Sequence, residues 1–201
     1  MSVNLIKGQK INLSKDNNGL SEILVGLGWD EAGKKSSGIL GGLFGGSKQD
    51  TIDCDASVLM LDNNGKLASK KDLIYFGNLR SQNSSVMHKG DNLTGEGEGD
   101  DEQILVDLKK VPSNISRLVF VVNIYNCVKR KQDFGMIKNA FIRVVNMSGN
   151  IELLKYNLSD NYLGKTALIT GEIYRHESEW KFKAIGEGTN DTALSGIVNR
   201  Y

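Results

Sequence analysis

The sequence predicts an all-β chain: an antiparallel β-sandwich of about eight to ten strands, with long loops at one end and little helix. Three observations carry that prediction. Short stretches rich in Val, Ile, Phe and Tyr recur along the 201 residues, and several alternate apolar and polar side chains with the two-residue period of a strand. Gly, Asn, Asp and Ser, the turn formers, separate them. Helical periodicity is nowhere sustained for three turns.

Taken in order, "EILVGLGW" (22–29) and "DASVLML" (55–61) are the first strong strands, and Asn63-Asn64-Gly65 turns the chain after the second. "DLIYFGN" (72–78), "QILVDL" (103–108) and "SRLVFVVNIY" (116–125) follow. "KKVPSNIS" (109–116), around the chain's one proline, has room for a short helical turn. "NAFIRVVNM" (139–147) alternates well, whereas "IELLKYNL" (151–158) breaks its alternation at Leu153-Leu154. "KTALITGEIYRHES" (165–178) and "EWKFKAIG" (179–186) form a final pair with a turn at Glu177-Ser178-Glu179. The large aromatics Trp29, Phe76, Phe120, Phe141, Trp180 and Phe182 are expected in the core.

The length suits one domain, residues 1–201. Hydrophobic residues at 39% and charged residues at 24% are ordinary for a soluble protein, and a net charge of +1 provides no field toward nucleic acid or anionic lipid. The N-terminal "MSVNLIKGQKINL" lacks a signal peptide's basic and apolar regions, and no stretch of about 18 apolar residues could span a bilayer. Cys54 and Cys127 stand alone, without zinc-site spacing or a disulfide framework. The expectation is a cytoplasmic, reduced protein. An insertion at about 33–50, "GKKSSGILGGLFGGSKQD", holds five glycines between Gly38 and Gly46. It reads as a mobile linker or as a glycine-hinged apolar finger, with Leu43-Phe44 available to a partner or a lipid surface.

The chemistry lies in "GDNLTGEGEGDDE" (90–102), which carries six carboxylates and no base. If consecutive strands run antiparallel, strand 22–29 leaves Asp30 at one end of the sandwich. Strand 53–61 starts there with Asp53 and Asp55, and strand 72–78 delivers Asn78 to the same end beside the acidic segment. Like charges about 4 Å apart repel by roughly 1 kcal/mol in water and about 4 kcal/mol near a protein surface. A folded loop of this kind therefore calls for a cation. Ca²⁺ accepts about six to eight oxygen ligands in adaptable geometry, and glycines allow carbonyls to turn inward. A solvated acidic loop that binds nothing is the plain alternative. The segment is not an EF-hand, because Asp91-x-Leu93-x-Gly95 departs from the D-x-[DN]-x-[DN]-G pattern.

"VGLGWD" (25–30), "DCDASVLML" (53–61), "GDNLTGEGEGDDEQILVDL" (90–108), "DFGMIKNAFIRVVN" (133–146) and "LITGEIYRHESEWKFKAIGEG" (168–188) together resemble the TerD family of bacterial tellurium-resistance and general stress proteins. The resemblance covers nearly the entire chain. It implies a β-sandwich with calcium bound by loops at one end, acting in cytoplasmic stress responses within larger complexes near the membrane. Its motifs map onto Asp30, Asp53, Asp55, Asp91, Asn92, Glu96, Glu98, Asp100 and Asp101, to which the strand argument adds Asn78. Two calcium ions are expected. The expected partners are other tellurium-resistance and stress proteins, with Leu43-Phe44 available for direct lipid contact.

No catalytic constellation is visible. Ser57 and Ser84-Ser85 lack a nucleophile elbow, and "DFG" at 133–135 stands without other kinase elements. His88, beside the acidic segment, is expected at an exposed turn or as a minor metal ligand, and His176 lies far from it in sequence. The run Lys129-Arg130-Lys131 is too short for nucleic-acid binding and reads as a solvated loop flanking the calcium end. The chain thus reads as a non-enzymatic calcium-binding interaction module. A carboxylate-metal hydrolase and a calcium-dependent membrane adaptor are the alternatives.

Overall fold

The computed structural model describes residues 2–15, 17, 19–31, 51–90 and 99–201. Two short strands open the chain, β1 (Val3–Leu5) and β2 (Lys10–Asn12), followed by β3 (Glu22–Glu31) and β4 (Cys54–Asp62). Next come β5 (Leu73–Ile74), β6 (Val86–His88), β7 (Glu102–Asp107) and β8 (Ile115–Ile124). After the helical turn α1 (Cys127–Arg130) run β9 (Ile137–Asn146), β10 (Ile151–Asn157), β11 (Ala167–His176) and β12 (Glu179–Thr189), and α2 (Leu194–Val198) closes the chain.

The strands form two six-stranded sheets, β1-β10-β9-β3-β7-β6 and β2-β12-β11-β8-β4-β5. This is the expected sandwich, with one departure from antiparallel order: β1 lies parallel to β10 at the edge of the first sheet. Consecutive strands change sheets seven times, β3 to β4 and β7 to β8 among them, so the halves of the sandwich are assembled from distant sequence.

Alternation decides what each strand buries. Ile23, Val25, Leu27 and Trp29 of β3 meet Ala56, Val58 and Met60 of β4 in the core between the sheets, with Phe120 and Phe182 fully enclosed there. A second apolar cluster covers the outer face of the second sheet, where Leu59, Leu61, Val119, Val121, Ala167 and Ile169 pack under Ile197 of α2. β4 and β8 therefore lie between two apolar layers, which explains why "SVLML" and "LVFVVNI" read as continuous apolar runs.

Three expectations are corrected here. Only Leu73–Ile74 of the stretch 72–78 is strand. Tyr75 and Asn78 then bridge each other across a tight turn. Gly77 permits it, because a Cβ there would lie 2.6 Å from the Tyr75 ring. Phe76, on that turn, is 46% exposed rather than core, and Phe141 is half-buried beneath the Lys155 ammonium, 3.9 Å from its ring centre. The stretch 109–114 forms turns rather than helix, and Ile115-Ser116 already belong to β8. The final hairpin is as expected, with His176 opposite Glu179 across a two-residue turn. No helix among the described residues is long and apolar enough to cross a membrane. The glycine-rich segment with Leu43-Phe44 lies outside the described residues.

Candidate functional site

The end of β3, the starts of β4 and β7 and the end of β8 meet at one end of the sandwich. Leu27 pairs with Glu102 and Cys54 with Ile124, and the backbone N–H of Ile52 donates to Glu31 Oε1 at 2.8 Å. Asp30, Asp53, Asp55, Asp100 and Asp101 all lie at this end. Strand alternation, however, distributes them over different faces.

Asp30 and Asp100 belong to the outer face of the first sheet. Asn139 Nδ2 donates to Asp30 Oδ2 at 2.7 Å. The Asp100 side chain is completely enclosed, lying where a Cβ on Gly26 would otherwise be. Arg143, opposite Gly26 in register, grips it with Nε to Oδ1 at 2.6 Å and Nη2 to Oδ2 at 2.9 Å. This two-point geometry matches guanidinium to carboxylate. The same Arg143 reaches Glu152 at 3.3 Å. A cavity of about 620 Å³ opens beside Asp30, lined also by Trp29, Gly99, Asn139 and Lys155.

Asp101 and Glu102 lie closer to the inter-sheet space. The Asp101 backbone N–H donates to Leu27 O at 2.8 Å, and its Oδ2 accepts the Trp29 N–H at 2.7 Å. Burial pushes its carboxyl up to about 6; the Trp29 N–H works against that shift, and the charges of Asp30, Glu102 and Asp100 add to it. Glu102 Oε2 lies 3.1 Å from His88 Nε2, both side chains 1% exposed. His88 Nε2 also lies 3.2 Å from Ala56 O in the opposite sheet, while the Gly90 N–H donates to Nδ1 at 3.2 Å. With Nδ1 accepting, the ring hydrogen sits on Nε2. His88 is therefore a buried inter-sheet link at the root of the acidic segment, not an exposed turn residue. The alternation Glu102-Ile104-Val106 held the signal that Glu102 points inward.

Asp55 belongs to the second sheet, and Asp53 immediately precedes its strand β4. Arg130, from the basic run, approaches Asp53 Oδ2 at 3.7 Å, which brings part of that run to this end of the molecule. Asp55 is 6% exposed and pairs in register with Asn123 of β8. Burial raises the Cys54 thiol well above its ordinary value, with the charges of Asp55, Asp53, Asp101 and Glu31 adding to the effect. Asn78 is occupied elsewhere: its amide nitrogen donates to Leu73 O at 2.7 Å and holds the turn after β5. Asp91, Asn92, Glu96 and Glu98 lie outside the described residues. Among the described residues no three His, Cys, Asp or Glu side chains are grouped so as to hold a metal ion.

Known proteins share both sequence and fold with this chain. A stress response protein, SCP2, of Bacillus subtilis is 63% identical over 201 residues, 100% of each chain. The tellurium resistance protein TerD of Serratia marcescens is 43% identical over 188 residues, covering 94% of this chain and 91% of its own. A solved homologue of the telluride resistance protein TerD from Streptomyces coelicolor A3(2) superposes with a TM-score of 0.65 at 21% identity, over 86% of this chain and 92% of that one. The family described as the TerD domain matches residues 1–201, and the chain belongs to that family.

Proposed function

We propose that the protein is a non-enzymatic, calcium-binding interaction module of the stress and tellurium-resistance type, working in the cytoplasm with other proteins of that response, some of them in membrane-associated complexes. The observation that carries the reading is Asp101. It is a carboxylate 9% exposed, held by backbone contacts to β3, and its proton affinity is raised by burial and by three neighbouring acids. Negative charge fixed in place, with little water and the Trp29 N–H as its donor among the described residues, suits a hard cation better than it suits an empty loop.

The donor set is consistent with Ca²⁺, since carboxylate and carbonyl oxygens predominate and no thiolate or histidine pair competes. Asp30, Asp53, Asp55 and Asp101 are assigned as ligands together with Asp91, Asn92, Glu96 and Glu98, for two ions. Asp100 and Asn78 are weaker members of the set, because Arg143 takes both Asp100 oxygens and Asn78 is turned to Leu73. Bound Ca²⁺ supplies positive charge that tethers the acidic segment and converts a repulsive end of the sandwich into a docking surface.

Calorimetric titration combined with thermal unfolding tests this. Ca²⁺ is expected to raise the melting temperature, by about 2.7 kcal/mol of stabilisation at a hundredfold excess over Kd, and the variant with Asp91, Glu96, Glu98 and Asp101 all changed to Asn or Gln should lose the effect. An unchanged shift in that variant, or none in the parent at millimolar Ca²⁺, sinks the reading. Metal-dependent phosphoester turnover, abolished by the same changes, would move the assignment to a hydrolase.

A further inference from the structure

Exposed apolar side chains gather at one place on the second sheet's side of the acidic end. Phe76, Tyr125 and Val128 are 46%, 44% and 69% exposed. All three line one cavity of about 480 Å³, and half-buried Tyr75 and Leu194 complete its walls. They come from three separated segments: the turn after β5, the chain around α1 and the start of α2. Apolar residues scattered singly over a surface are ordinary, whereas a group converging on one concavity marks a binding surface.

The walls are held in place before anything binds. Gly77 accommodates the Tyr75 ring, which meets Phe76 edge-on at 5.3 Å. The Tyr125 N–H donates to Asp53 O at 2.8 Å, and the Arg130 guanidinium lies 5.6 Å from the centre of the Tyr125 ring. Asn126 and Lys131, which bracket α1, are left-handed at φ 52° and 54°. Residues other than glycine keep that conformation only where their surroundings enforce it. Here Cys127, 1% exposed, anchors the turn from inside, and the Gln132 N–H closes it on Cys127 O at 2.9 Å. Cys127 Sγ, 3.7 Å from Thr192 O, ties the turn to the wall before α2. Val128 is thus presented outward on a fixed support, and a preformed surface loses little freedom when it is occupied.

Shape and charge choose the occupant. A concavity with a fixed rim suits one projecting side chain better than a flat bilayer. Lys129 lines the cavity and Lys131 ends the same turn, both exposed, while Arg130 between them is directed to Asp53 at 3.7 Å. Asp55 also lines the cavity, 6% exposed, and would repel an acid placed inside, so a ligand's negative groups belong at the rim. We propose that this groove docks a partner protein through a peptide segment with one aromatic or branched apolar anchor followed by acidic residues. The anchor enters between Phe76, Tyr125 and Val128, and the acids meet Lys129 and Lys131. This partner chemistry rests on the reading of the chain as an interaction module, and none of its contacts requires Ca²⁺.

The acetylated, amidated peptide Trp-Glu-Glu-Glu is titrated into the ¹⁵N-labelled full chain in chelator. Beside it run Ser-Glu-Glu-Glu, which lacks the anchor, and Trp-Lys-Lys-Lys, which reverses the charge. The expected result is saturable binding of the first with Kd about 1 mM or tighter, and each control about tenfold weaker. Amide shifts should centre on residues 75–77, 125–131 and 192–194. Val128→Ser, at an exposed position, should weaken the first peptide about fivefold, and Lys129→Glu with Lys131→Glu about tenfold. The doubly reversed variant should bind Trp-Lys-Lys-Lys better than the parent does, a gain that no damaged fold produces. The Ca²⁺-dependent rise in melting temperature is measured on the same samples. If the rise is present and the peptide fails, the docking groove falls alone; if the peptide binds without the rise, the calcium assignment falls and the groove stands. No saturation by the first peptide, equal binding of either control, unchanged affinity in the reversed variant, or co-sedimentation with phosphatidylserine vesicles in place of peptide binding would each overturn the proposal.

Discussion

The two outer faces of the sandwich use the same strand geometry to opposite ends. On the first sheet the outward side chains are laced together by charge: Arg143 joins Asp100 and Glu152, and Lys155 covers Phe141. On the second, the outward side chains are apolar and sealed under Ile197 until the seal ends at Asp55, Ser57 and Asn123. A polar face tolerates a buried acid because a base can reach it from the neighbouring strand. The apolar face carries its polar residues only where the cover of α2 ends, beside a cleft lined by Asp55 and Asn123.

The sharpest way to break this contrast is Arg143→Ala. It leaves the fully enclosed Asp100 carboxylate without its guanidinium, and removing one partner of a buried pair costs about 3–5 kcal/mol. Urea unfolding should show a loss near the lower figure, since Arg143 is itself 31% exposed, and Asp100→Asn in the same chain should restore part of it. A loss below about 1 kcal/mol would mean that the lacing is ornamental. On the second face, Ile197→Ala should cost about 2–4 kcal/mol through the cavity it leaves under α2. Hydrogen exchange should then rise at Val121 and Leu59 while the inter-sheet core stays protected. Uniform loosening of both cores would erase the distinction between the layers.

The smallest effect concerns Asp101, between the faces. Its folded value of about 6 lies above the ordinary 3.8, so the fold favours the protonated acid. Its contribution to stability is full below pH 3.8 and is lost as pH rises through 6. In chelator, the melting temperature of the parent relative to Asp101→Asn should therefore fall between pH 4 and 6 and level off above. A flat difference would show that Asp101 is already compensated without metal.

The long strands were legible because alternation survives in "EILVGLGW" and "NAFIRVVNM", and because sealed β4 and β8 carry unbroken apolar runs. β1, β2 and β6, three residues each, and the short helices α1 and α2 were not. Elements that short carry no periodicity, and an edge strand exists only because β10 or β12 offers it free backbone. The stretch 72–78 misled because its apolar residues are real but serve a turn: Ile74 is buried, whereas Phe76 rims the cleft. For the candidate site, strand parity was enough to bring Asp30, Asp53, Asp55, Asp100 and Asp101 to one end. It could not foresee that Arg143 would claim Asp100 or that His88 would reach Glu102.

What the sequence by itself determined is therefore the set of long strands, the sandwich, the family and the end at which the acids collect, since local alternation and turn chemistry write these along the chain. Only the tertiary structure decided which acid is neutralised, which is left buried among its own kind, and that Asn123 sits at the bottom of a cleft. Those outcomes depend on which side chain from a distant strand arrives within about 3 Å, a distance at which hydrogen bonds form and which no spacing along one chain encodes.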